Sequence, residues 1–225
     1  MSSYDFDWDV VKQYFPDLMQ GLYITLLISL VGMGIALVLG LVLAMGRLSG
    51  SRIVRQFANG TTQVMRSVPL FVLLFWIYYG LSLKFNLLFT EFQAGAVALG
   101  VTGGAYMAEI YRSGLLAVDQ GQEEAALAIG LSRRQAFFSV VLPQAIRIII
   151  PPSVNVYVGL IKGATIVSVI GVSDMIYVAQ YVSLQTFTPF ELYSVAGVVF
   201  VAVTLSVSMF AWLLERRLSA GRAHA

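Results

Sequence analysis

Residues 119–143 read DQGQEEAALAIGLSRRQAFFSVVLP, a stretch that holds two helix starts with a helix stop between them. Asp119 is placed to accept from the first free backbone N–H groups, and Gln122, three residues on, to reach back to it. Glu123 and Glu124 fall in the first turn, where the helix dipole favours negative charge. Ala125, Ala126, Leu127, Ala128 and Ile129 continue the helix, and Gly130 supplies the left-handed residue that ends it. Ser132 with Gln135 repeats the capping pattern ahead of Ala136, Phe137, Phe138, Val140 and Val141. A first helix of about ten residues is roughly 15 Å long, half of what a bilayer's hydrocarbon needs. It does not cross a membrane. Such a short, capped, small-residue helix either seats in a groove on another protein or connects two elements of its own bundle.

On both sides of this stretch the chain turns apolar. Of its 225 residues, 58% are hydrophobic and 12% charged, with a mean hydropathy of +0.81, against roughly 45–50% and about 25% for a soluble chain. The composition is that of an integral membrane protein, and five apolar stretches carry it: 22–45, 67–83, 92–108 and 192–214, which are free of charge, and 148–173, which carries one charge, Lys162. The shorter ones borrow residues from their flanks, so the spans are drawn as 22–45, 67–83, 92–114, 144–169 and 192–214 within one domain, 1–225, with the segment 119–143 between the third and fourth. A net charge of +2 is too small for a nucleic-acid footprint. No Cys is present and the one His, His224, stands next to the C-terminus, which excludes thiolate metal sites, disulfides and a buried His triad. The opening MSSYDFDWD carries acids where a secretory leader carries Lys or Arg, and predicts no cleavable signal.

Sidedness follows from the basic residues, which cytoplasmic loops retain. Arg47, Arg52, Arg55 and Arg66 lie between spans one and two, Arg112, Arg133, Arg134 and Arg147 between three and four, and Arg216, Arg217 and Arg222 in the tail. Asp5, Asp7, Asp9 and Asp17, the Lys84/Glu91 loop, and the loop of Asp174 and Glu191 fall on the other side. The prediction is an N-terminus outside and a C-terminus inside. Small residues at every fourth position, Gly32, Ala36, Gly40 and Ala44 on span one and Ala96, Gly100, Gly104 and Ala108 on span three, mark faces for close helix contact. Trp76, Tyr78, Tyr79 and Trp212 read as interfacial belt residues.

The segment Glu124-Ala125-Ala126, three residues, Gly130, nine residues, Val140, one residue, Leu142-Pro143 resembles the EAA loop of ABC-importer permeases, with Val140 for Ile. Gly21-Leu22 to Thr25-Leu26, Arg66-Ser67-Val68-Pro69-Leu70, Ala105-Tyr106 with Glu109 and Arg112-Ser113-Gly114, Leu142-Pro143-Gln144-Ala145, Ser168 to Val172 and Thr186 to Glu191 resemble the polar amino acid branch (glutamine, glutamate and histidine type). The resemblance runs from about Gly21 to Arg217. It implies an all-α, five-span permease of the type I importer fold, with a cytoplasmic coupling helix. Glu123, Glu124, Ala125, Ala126, Leu127 and Gly130 would dock a cytoplasmic ABC ATPase dimer in a bacterial inner membrane. A second permease, identical or paralogous, and an extracytoplasmic solute-binding protein complete the implied transporter. No G-x-x-x-x-G-K-[ST] loop is present, so ATP and Mg are expected in the partner and no cofactor on this chain. The chain reads as a transport subunit and not an enzyme. A self-contained secondary transporter or channel is the alternative, though no inverted repeat and few intramembrane acids speak for it.

Ionisable groups inside spans are functional hypotheses. Lys162 interrupts the fourth stretch near Thr165 and Ser168, downstream of the helix-breaking Pro151 and Pro152. Either it attracts a substrate's carboxylate or acidic side chain, or it pairs with Glu109 or Asp174 as a structural tie, or its long stem snorkels to an interface. Where the family often has Lys-Asp-Thr-Ser, this chain has Lys162-Gly163-Ala164-Thr165. Glu109 and Arg112, three apart, share a helix face and read as a structural pair. Tyr106, Asn155 and Tyr157 carry polar groups that either line a route or bond across helices; with Lys162, Thr165 and Ser168 they form the expected substrate path.

Overall fold

The computed structural model describes residues 6–219, and among them every regular element is helical. Asp5, Arg222 and His224 lie outside the described residues, as does the side chain of Arg217. In order come α1 (Trp8–Arg47), α2 (Arg52–Ser67), α3 (Leu70–Phe75), a π-helical turn (Trp76–Gly80) and α4 (Leu81–Phe85). Then follow α5 (Glu91–Leu116), α6 (Gln120–Ala128), α7 (Arg133–Ala136), a second π-helical turn (Phe137–Val141) and α8 (Leu142–Ala164). A 3₁₀ run (Thr165–Ile170), α9 (Met175–Thr186) and α10 (Pro189–Ser219) close the chain.

The two rows of small residues face each other within this one chain. A methyl added at Gly40 would lie 2.5 Å from the Met107 Cβ and 3.0 Å from the backbone at Ala108 and Gly104, and one added at Gly100 would lie 2.5 Å from the Ile35 Cβ. Because Gly32 meets Leu99 while Gly40 meets Met107, α1 and α5 run parallel. Gly95 meets Val167 and Gly103 meets Leu160, so α8 runs against them. Van der Waals approach of this kind is what holds helices together where lipid removes the hydrophobic drive.

α5 is the centre of the bundle. Ile28 of α1, Leu74 of α3, Ala94, Ala98 and Leu99 of α5, Leu160 and Ala164 of α8, and Val167 form the main core. Leu18, Met175, Ala179, Val182, Leu192 and Ala196 form a second one that joins the first half of α1 to α9 and α10. The start of α10 is tied to the start of α1: the Asp7 backbone N–H donates to Glu191 Oε1 at 2.8 Å, and Phe6 meets Phe190 edge-on at 5.3 Å. α10 therefore begins where α1 begins.

Among the described residues three helical runs are long and apolar enough to cross a membrane: Trp8–Arg47, Arg133–Ile170 and Pro189–Leu214. Arg52–Ser67 with Leu70–Phe85, bent by 102° between them, make a fourth if counted as one span. α5 is not among these because its many glycines, with Gln93, Thr102 and Glu109, lower its hydropathy; those glycines pack against α1 and α8.

Several expectations are corrected. Pro151 and Pro152 do not break the helix, which runs through both from Leu142 to Ala164; membrane helices tolerate proline where neighbouring groups take up the freed backbone. The irregular backbone lies downstream of Lys162, in the 3₁₀ run that ends at Gly171 with φ +92. The helix of the fourth stretch begins at the Ser132 capping box, well before residue 144.

Candidate functional site

The Asp119–Gly130 unit is built as a separate module at the end of α5. Asp119 Oδ1 accepts from the Gly121 N–H at 2.7 Å. Gln122 does not close the predicted box; its side chain faces the Gln144 amide across the loop at 3.5 Å. The stop is complete: Gly130 has φ +91, its N–H donates to the Leu127 carbonyl oxygen at 3.0 Å, and the Leu131 N–H donates to that of Ala126 at 3.1 Å. These two bonds are the Schellman pair, which consumes the helix's last carbonyls and fixes its direction. Ser132 and Gln135 then make the predicted reciprocal cap.

Within α6, Ala126 is turned inward and buried while Glu123 and Leu127 are half-buried. Glu124, Ala125 and Ala128 are exposed, and Ile129, at the cap, is 80% exposed. The outward side of α6 is thus small residues flanked by a carboxylate and one large apolar side chain, a shape that a groove on a second protein accommodates. Ile129, expected to continue the helix, is instead its C-cap residue, after the last helical residue Ala128.

The substrate-path residues do not all converge. Tyr106 and Asn155 line one cavity of about 440 Å³ with Leu70, Thr102, Pro152 and Gly159. The Thr102 hydroxyl is buried without a partner, and the Arg66 guanidinium lies over the Tyr106 ring, 5.4 Å from its centre. Thr102 and Arg66 were not singled out as path residues. Tyr157 lines a different, apolar cleft with Leu30, Met33, Val154 and Phe210. Ser168 borders a third hollow with Gln180 and Tyr181, and its hydroxyl is spent on the Thr165 carbonyl; that of Thr165 is spent on the Lys162 carbonyl.

Lys162 is exposed on the isolated chain, on the same helix face as Asn155 seven residues earlier. Neither expected partner takes it. Glu109 binds Arg47 at 2.6 Å and Arg112 at 2.5 Å, and Arg47 also donates to Asn59 at 2.7 Å. The structural pair of the sequence reading is therefore a three-helix clamp joining α1, α2 and α5. Asp174 instead caps α9, accepting from the Tyr177 N–H at 2.8 Å. Among the described residues no carboxylate pairs with Lys162.

Comparison with known proteins matches residues 36–220 to the family described as binding-protein-dependent transport system inner membrane component. The glutamine transport system permease protein of Escherichia coli (strain K12) is 35% identical over 214 residues, 95% of this chain and 98% of that protein. A crystal structure of an amino acid ABC transporter with histidines superposes with a TM-score of 0.89 at 34% identity, covering 95% of this chain and all (100%) of that one. Inward-facing MetNI, a methionine ABC transporter, shares the fold at TM-score 0.75 and 19% identity, over 92% of this chain and 98% of that one. A family match over residues 36–220, a relative matched over nearly its whole length and a shared bundle leave one conclusion: the chain belongs to the binding-protein-dependent transport system inner membrane component family, as the membrane permease subunit of an ABC importer.

Proposed function

We propose that this permease carries polar amino acids across a bacterial inner membrane, as half of a pair whose other member is a second copy or a paralogue. In this reading residues 1–225 form a single domain with five crossings, N-terminus outside and C-terminus inside. The arrangement of charge supports it. α1, α5 and α10 run the same way, so Arg47, Arg112 and Arg216 come to one end of the bundle with α6, while Asp7, Asp174 and Glu191 come to the other. The arginine end is then cytoplasmic, and α6 seats on an ABC ATPase dimer that holds ATP and Mg. A solute-binding protein delivers substrate at the acidic end.

The observation that carries the reading is the Schellman-closed α6 unit with Glu124, Ala125, Ala128 and Ile129 turned outward. A helix so fixed at both ends transmits displacement as a rigid lever. ATP binding closes the ATPase dimer, α6 follows, and the permease pair changes from inward-facing to outward-facing; hydrolysis resets it. Such alternation needs only two packings of comparable energy and a ligand that prefers one.

The substrate's polar groups are met by the cavity of Tyr106, Asn155 and Thr102, whose unspent hydroxyl is an offered hydrogen bond. Lys162, unpaired on the adjoining face, faces the path between the two permeases, where an ammonium without a counter-ion requires water or an anionic substrate group. Tyr157, Thr165 and Ser168 stay in the proposed path as packing and backbone-bonding residues. The test is reconstitution with the ATPase and binding protein. Thr102→Val should lower amino acid uptake about tenfold, the worth of roughly one hydrogen bond, with binding of the ATPase unchanged. Undiminished uptake in that variant contradicts the cavity assignment, and uptake driven by an ion gradient without any ATPase contradicts the importer reading itself.

A further inference from the structure

α2 differs from its neighbours in how its sides are composed. Along RIVRQFANGTTQVMRS, Ala58 and Thr62 are buried against the bundle. A second side shows Ile53, Phe57 and Val64, which are 80%, 76% and 63% exposed and spaced four and seven residues apart, so that they form one stripe. A third carries Arg52, Arg55, Gln56, Asn59 and Gln63. From Arg47 to Thr90 the sequence has no Asp or Glu. A span is apolar all round, and a helix on a soluble face hides its apolar side; α2 does neither. An open apolar stripe beside a cationic arc belongs at the boundary between hydrocarbon and water.

The backbone places α2 for that position. At Val68–Pro69 the chain turns so that α2 and Leu70–Phe85 meet at 102°. With Leu70–Phe85 directed across the bilayer, α2 lies almost in its plane. The arginines nearest the stripe have no protein anion to bind. Arg52 and Arg55 pair with no carboxylate among the described residues, and Arg55 reaches only the Ser49 carbonyl oxygen at 3.4 Å. Arg47 is occupied by Glu109 and Asn59, and Arg66 by the Tyr106 ring.

We propose that α2 is an in-plane surface helix whose occupant is the bilayer. Ile53, Phe57 and Val64 enter the acyl boundary of the leaflet at the arginine-rich end, and Arg52 and Arg55 bind the phosphates of anionic phospholipids there. A lipid leaflet supplies an apolar layer and an anionic layer side by side, which is the order in which α2 presents stripe and guanidinium groups. The Arg47–Asn59 bond links α2 to the Glu109 clamp, so a lipid hold on α2 also steadies the end of the bundle from which α6 projects. The assignment depends neither on the solute carried nor on which face is cytoplasmic.

Because the chain has no Cys, single spin labels report on it directly. The assembled transporter, with Phe57→Cys or Gln63→Cys labelled, is placed in nanodiscs of phosphatidylcholine with phosphatidylglycerol. The label at Phe57→Cys should relax with oxygen and be shielded from a water-soluble nickel chelate, and the label at Gln63→Cys should do the reverse. In a second measurement, spin-labelled phosphatidylglycerol should lose up to about 30-fold of its preference over phosphatidylcholine at α2 in Arg52→Gln/Arg55→Gln, about fivefold for each arginine. A Phe57→Cys label shielded from both relaxants, as beneath the ATPase or the second permease, overturns the proposal. So does one open to the nickel chelate, or an unchanged lipid preference in the double variant. Labelling of Gln63→Cys in sealed vesicles reads sidedness separately.

Discussion

Gly130 is the residue at which the α6 unit is most exposed to a single change. A Cβ there would touch nothing within 4 Å, yet the backbone has φ +91, a region that costs an L-residue about 1–2 kcal/mol and a β-branched one more. Gly130→Val should leave the amount of inserted protein unchanged and abolish ATP-coupled uptake in proteoliposomes, while Gly130→Asn should keep much of it, since Asn accepts the left-handed cap. Wild-type uptake by Gly130→Val contradicts the lever role. Asp174 offers a different test. Burial pushes its carboxyl up to about 7, against the lowering effect of the Tyr177 and Ile176 N–H groups. With the folded value above the unfolded one, its contribution to stability is fully present below about 4 and is lost as pH rises through 7. Asp174→Asn, which keeps the cap, should therefore melt like wild type in detergent near pH 4 and above it at pH 8; a difference that does not grow over that interval contradicts the assignment. Lys162 shows the limit of reading residues from sequence: a lone ammonium was visible, but its lack of a partner depends on Arg47 and Arg112 having taken Glu109, a contact between residues far apart in the chain.

At the scale of elements, the rows on α1 and α5 are the features on which the bundle depends most. Gly40→Ala should cost about 1–3 kcal/mol by overpacking, because its methyl would meet the Met107 Cβ and the backbone of α5 at once. Gly34→Ala on the same helix meets nothing within 4 Å and serves as the control. Thermal unfolding in detergent measures both, and equal melting of the two variants contradicts the close-packed pairing. The rows were legible because period-four small residues need no knowledge of the partner; that both lie in one chain was not. The two caps at Ser132 and Gly130 were legible because each is a local pattern. Span ends were not. The 40-residue α1 extends well before residue 22 because Leu18 packs with α9 and α10, and α8 runs on through Pro151 and Pro152. The Thr90/Gln93 capping box that opens α5 is a local pattern of the same kind, at the edge of a stretch dominated by its hydropathy.

For the whole molecule, charge separates along the bundle axis as the chain alternates direction, and this gives the local modules a common frame. Arg47 at the end of α1 and Arg112 near the end of α5 meet at Glu109, ahead of α6, while Asp7 caps the opposite end of α1 and Asp174 lies beside Gly21 in its first half. The candidate site divides accordingly. The proposed docking half lies within one continuous stretch of sequence, where local capping patterns define it. The cavity half is assembled from α3, α5 and α8, and of the six expected path residues it brings together Tyr106 and Asn155. The most direct measurement of the central claim uses the absence of Cys. Ala128→Cys, exposed on α6, is labelled with a membrane-impermeant maleimide in sealed inside-out and right-side-out vesicles, with and without the ATPase. The account predicts labelling from the cytoplasmic side alone, and protection with a cross-link to the ATPase once it is bound; labelling from the outside, or labelling indifferent to the ATPase, would contradict it.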